Sequence, residues 1–138
     1  MTVTDYQAAL AEHLAAASTP NNPLAIQEST PGDKLWSLTI NKDCSLVIGP
    51  PEEMSTVMLI SGMTPMATAN GLCIACCALD ALGLGNRDWR NKLLERLHLY
   101  DGKVANGLRH ATQARGWEMA VQVNHPAQGL MSYTYHKL

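Results

Sequence analysis

Between Leu35 and Met63, three short runs carry the signature of strands. In the first, Trp36, Leu38 and Ile40 fall on one side and Leu35, Ser37 and Thr39 on the other, the period-two alternation of a half-buried strand. Asn41-Lys42-Asp43 turns the chain into a second run, with Cys44, Leu46 and Ile48 opposite Ser45 and Val47. Gly49-Pro50-Pro51 stops it, because proline cannot donate to a strand ladder. The third run, Thr56-Val57-Met58-Leu59-Ile60, is apolar on both sides and predicts a strand covered on both faces, by its own chain or by a partner.

Helical spacing brackets this meander. Thr4 with Gln7 fits a capping box, and Tyr6, Leu10, His13, Leu14 and Ala17 recur at helical intervals, predicting a first helix from about Asp5 to Ala17. Residues 18 to 33 read as a long loop with a short edge strand at Leu24 to Gln27. Thr64-Pro65 opens a second helix that is apolar nearly all round and stops at Gly83. Asn86 caps a third, with Trp89, Leu93, Leu97 and Tyr100 in a stripe, and Asp101-Gly102 breaks it. A fourth helical stretch carries Val104, Leu108 and Ala111 and ends at Gly116. Trp117 to Val123 alternates cleanly, and Leu130 to His136 continues as its hairpin partner. The predicted fold is one α+β domain over residues 1–138: an antiparallel sheet of about five strands, from a three-strand meander and a C-terminal hairpin, packed with three to four helices.

Composition adds three constraints. With 46% hydrophobic and 16% charged residues in 138, the chain is a compact globular protein, and its aromatic core must come from three Trp and four Tyr because Phe is absent. No signal peptide or bilayer-length apolar stretch is visible, and four cysteines, three crowded at Cys73, Cys76 and Cys77, read as reduced thiols of a cytoplasmic protein. Charge is uneven: residues 1 to 86 balance at −6 and residues 87 to 138 at +4, within a net −2. Arg90, Lys92, Arg96 and Arg109 would form a nucleic-acid contact if they shared one exposed face.

The candidate chemistry assigns no catalytic residue. Cys73-Ile74-Ala75-Cys76-Cys77 holds a C-x-x-C, but it sits inside an apolar helix, where burial keeps a thiol protonated. One cysteine pair is not a structural zinc site, and the five histidines show no metal-ligand spacing. His98 with Asp101 could orient a base near a helix end, and Glu52-Glu53 reads as a solvated pair. Gly83-Leu84-Gly85 follows a helix, not a strand, so it is a helix stop and not a phosphate cradle. No cofactor or metal is expected.

Binding is therefore the leading functional class, with Val57, Met58, Leu59, Ile60, Met63 and Met66 as the contact for a protein partner, since flexible thioethers adapt to varied surfaces. A small enzyme with scattered acid/base residues in a pocket is the rival reading. The N-terminal helix, the loop, the meander beginning Leu35-Trp36-Ser37-Leu38-Thr39-Ile40 and the apolar helix from Thr64 to Leu82 together resemble the first half of the class I chaperones of type III secretion, over about 80 of the 138 residues. The resemblance implies a cytoplasmic homodimer holding an extended segment of a secreted protein, with no enzyme activity. The basic segment 87 to 115 and the closing hairpin depart from that family, so no site residue is carried over from it.

Overall fold

A computed structural model describes residues 1–42, 44–62, 65–85, 87–96, 109–123 and 130–138. The chain runs α1 (Val3–Ala17), β1 (Ile26–Thr30), β2 (Trp36–Ile40), β3 (Cys44–Gly49), β4 (Thr56–Gly62), α2 (Pro65–Ala81), α3 (Arg87–Arg96), β5 (Arg109–Ala114), β6 (Trp117–Val123) and β7 (Leu130–Lys137). All seven strands join one antiparallel sheet in the order β1-β2-β3-β4-β7-β6-β5. The class is α+β, as the patterning predicts, but the sheet has seven strands instead of about five. In place of the three to four packed helices expected, two long helices, α1 and α2, cover it, and the ten-residue α3 lies beside the edge strand β5.

The extra strands have physical causes. The edge strand expected at Leu24 to Gln27 forms slightly later, at Ile26–Thr30, where a register shift between Ile26 and Glu28 bends it along β2. The predicted fourth helix is overturned: Arg109–Ala114 is a strand paired with β6. Arg115 and Gly116, at φ 52° and 78°, form the two-residue turn between them. Two successive positive φ values define the turn whose twist matches antiparallel strands, so Gly116 closes a hairpin and does not end a helix. Val104, Leu108, the Asp101-Gly102 break and the Asn86 cap lie outside the described residues.

Helix ends follow local chemistry. The first helix begins two residues before the expected start, because the Thr2 hydroxyl accepts a hydrogen bond from the Asp5 amide at 3.1 Å. At the end of α2, Gly83 (φ 74°) allows its amide to reach the Asp80 carbonyl and the Leu84 amide to reach the Leu79 carbonyl, satisfying two terminal acceptors.

The core lies between the helices and one face of the sheet. Val3, Tyr6, Leu10 and Leu14 of α1 are buried, as are Ile74, Ala75, Ala78 and Leu79 of α2. Beneath them lie the inward residues of every central strand, including Leu38, Leu46, Val57, Leu59, Val121 and Tyr133. Two tyrosines tie sheet and helices together. The Tyr6 hydroxyl donates to the Ala78 carbonyl at 3.0 Å, and Tyr135 to the Ala75 carbonyl at 2.7 Å. Among the described residues, no helix is long and apolar enough to cross a membrane.

Helix and sheet approach closely at Gly71. A Cβ there would lie 2.6 Å from the Ser61 Oγ and 2.8 Å from its Cβ, so a glycine and a small strand residue let α2 press on β4. The buried Ser61 hydroxyl has no hydrogen-bond partner among the described residues. Gly71→Ala should therefore destabilise the fold by about 1–3 kcal/mol despite the better helix propensity of alanine, and Ser61→Gly in the same chain should recover a large part of that loss. Urea unfolding of the two variants checks this. Equal stability of Gly71→Ala and the natural chain would show that the helix shifts freely.

Candidate functional site

The register decides which apolar residues of β4 can touch anything outside the molecule. Directly paired residues share a face, so the ladder can be followed across the sheet. Val57 pairs with Ile48 and Tyr135, and Leu59 with Leu46 and Tyr133, all facing the helices. Val57 and Leu59 are fully buried there. Met58 and Ile60 point the other way. Met58 is 36% exposed and Ile60 half-buried. Met66, 65% exposed, stands on the first turn of α2, and Met63 lies outside the described residues. The double apolarity of this strand therefore reflects one core face and one open face; the cover expected over both faces is present, among the described residues, over the inner one alone.

Three rows of side chains cross the open face, and one of them runs Gly49, Thr56, His136, Glu118 and Gln113. A second runs Ser37, Val47, Met58, Thr134 and Ala120, from β2 to β6, where Ala120 is buried at 3% exposure. The next runs Thr39, Ser45, Ile60, Ser132 and Gln122, flanked by Glu28 on β1 and Arg109 on β5. On β2, β3, β4 and β7 this face carries no Asp, Glu, Lys or Arg; its one ionisable group is His136, whose Nδ1 is within hydrogen-bond distance, 3.2 Å, of the Thr56 hydroxyl. A solvated antiparallel face normally carries charged residues between polar ones. Here Val47, Met58 and Ile60 occupy its centre among small hydroxyl side chains.

The remaining candidate groups do not converge. All four cysteines are thiols, none of them in a disulfide. Burial pushes Cys77 up to about 12, and the neighbouring Cys73 adds to the rise, so this thiol is held protonated. Among the described residues, no three His, Cys, Asp or Glu side chains are placed to hold a metal ion. His13 and His110 are half-buried on α1 and β5, while His98, Asp101 and His125 lie outside the described residues. Glu52 and Glu53 are exposed, and Glu53 sits 3.9 Å from the Lys137 ammonium. A small cavity of about 10 Å³ lies at the C-terminal end of α2, lined by Leu79, Leu84, Trp117, Met119 and Tyr135 with Glu118 at its edge. Its lining is too apolar to hold an acid/base pair.

Of the four basic residues of the alternative reading, two have described side chains. Arg96 is exposed at the end of α3, and Arg109 is on the edge strand, its guanidinium bonded to Glu118, whose carboxyl is held below its usual range by that hydrogen bond. The side chains of Arg90 and Lys92 are not among those described. Sequence reasoning missed Val47 and the hydroxyl rows around β4. Their alternation was visible, but only the register shows that they share one open face with Met58 and Ile60. Compared with known proteins, the chain matches no family model, no curated protein and no solved structure.

Proposed function

We propose that this chain is a non-enzymatic protein-binding module that contacts its partner through the open face of the sheet, centred on Met58 and Ile60. The observation that carries the reading is the uncharged centre of that face. Four adjacent strands present it with no Asp, Glu, Lys or Arg and with His136 as their one ionisable group, where solvation alone favours charge, and a partner's surface can cover such a face without stranding an ion. Methionine beside a β-branched residue supplies contact area that adapts to the partner's shape. A secretion-chaperone-like or inhibitor/adaptor role is a finer form of the same reading, supported by the order of the first helix, the meander and the apolar helix.

Met58→Asp or Ile60→Asp should weaken binding of a purified protein partner at least about thirtyfold, the effect of losing a central contact worth about 2 kcal/mol. The thermal transition of each variant should stay cooperative, since neither side chain faces the core. Titration calorimetry with the partner reads the first, and circular dichroism the second. Unchanged affinity in a folded variant would overturn the assignment of this face.

A further inference from the structure

We infer that the open face is covered by a second copy of this chain, in a face-to-face pair whose two-fold axis runs along β4. The inference rests on the open face being the contact, and it names the occupant. β4 is the fourth of seven strands. A half-turn about a line parallel to β4, lying between two stacked sheets, therefore sets β1 over the second copy's β5, β2 over its β6 and β3 over its β7. Met58 and Ile60 fall on the axis and meet their own counterparts.

Charge selects this axis. The row through Ile60 is charged only at its two ends, with Glu28 at one edge of the sheet and Arg109 at the other. A half-turn along the strands keeps each residue's height and exchanges the two edges, so each Glu28 comes opposite the Arg109 of the other copy. A half-turn across the strands would instead lay β1 over β1 and bring like charges to each edge. Glu28 has no ion-pair partner among the described residues. Arg109 already binds Glu118, but a guanidinium has five N–H donors and can serve a second carboxylate.

Size and packing agree. Seven strands about 4.8 Å apart and roughly five residues long present about 600 Å² of flat face, so a pair covers about 1,200 Å², the lower end of the range for a specific interface. Stacked sheets sit about 10 Å apart, a gap that Met58 and Ile60 can fill with their counterparts, and Val47 with Thr134 of the other copy, while the small hydroxyl residues leave room on either side.

Sedimentation velocity tests this without a foreign partner. The natural chain should sediment as a dimer at about 10 µM, and Glu28→Arg alone, or Arg109→Glu alone, should raise the dimer dissociation constant at least tenfold by placing like charges together. An equimolar mixture of the two variants should recover the dimer. In the mixed pair the introduced arginine of one chain faces the introduced glutamate of the other at one edge, and the natural Arg109 faces the natural Glu28 at the opposite edge. Rescue by mixing is specific to the exchanged edges, and a merely destabilised fold would not show it. A chain that stays monomeric at every concentration, or a dimer indifferent to both substitutions, overturns the inference. If a monomeric chain still loses a foreign partner through Met58→Asp, only the second copy is eliminated; if Met58→Asp changes neither dimer nor partner binding, the open-face reading falls with it.

Discussion

Above about pH 10 the folded chain should lose stability steeply, and it should unfold cooperatively by about pH 12. Burial, the first cause in each case, raises the phenols of Tyr6, Tyr133 and Tyr135 far above the ordinary tyrosine value. A group whose folded pKa is raised stabilises the native state fully below its unfolded pKa, about 10 for tyrosine, and that contribution is lost as pH climbs from there towards the folded value. Each phenol then costs about 1.4 kcal/mol per pH unit, and three together about 4 kcal/mol per unit, against a total stability of about 5–15 kcal/mol. Cys77 acts in the same direction and begins earlier, since a free thiol titrates near 8.5. The specific check is Tyr6→Phe with Tyr135→Phe. At neutral pH this variant should be weaker by about 2 kcal/mol, having lost two hydroxyls that donate to Ala78 and Ala75. Above about pH 11 the order should reverse, because two of the three titrating groups are gone. Tyrosinate absorbance should rise together with the loss of helical circular dichroism. If more than one of the four tyrosines ionises near pH 10 while the helix signal persists, the phenols are not held as the core arrangement requires.

The sheet was legible in the sequence wherever alternation and a turn signal agreed. Leu38 and Ile40, Leu46 and Ile48, and Met119, Val121 and Val123 all face the core, as their spacing predicts. Strand β5 was hidden for two reasons. Alanine at 111 and 114 carries little strand preference, and Val104, Leu108 and Ala111 happen to recur at helical spacing, whereas Arg115 gives no warning that it adopts a positive φ before Gly116. The candidate surface was legible only as a strand. Because Val57, Met58, Leu59 and Ile60 are all apolar, their parity cannot be told from composition. It is fixed by pairing with β3 and β7, and β7 lies some seventy residues further along the chain. The opposed charges of Glu28 and Arg109 are likewise invisible until register places them in one row.

That parity carries the largest effect expected of any single substitution here. Leu59→Asp should leave no folded protein at neutral pH, while Ile60→Asp, one residue later, should fold. Leu59 is fully buried against Leu46 and Tyr133 beneath the helices. Its replacement forfeits about 2–5 kcal/mol of packing, and the new carboxylate adds several kcal/mol more because its paired neighbours Leu46 and Tyr133 offer no charge to offset its lost hydration. The sum reaches the whole stability of an ordinary domain. At Ile60 the carboxylate emerges between Ser45 and Ser132 on the open face, where water and hydroxyls can solvate it, so the loss should stay near 1 kcal/mol, that of an exposed strand position. Chemical denaturation of the pair, with soluble yield for Leu59→Asp, measures the contrast. If the two variants were equally damaged, Ile60 would have to be buried on its own side too, and the open face that binding depends on would not exist; if Leu59→Asp folded normally, the strand would have slipped by one residue, exchanging every inward and outward side chain of β4.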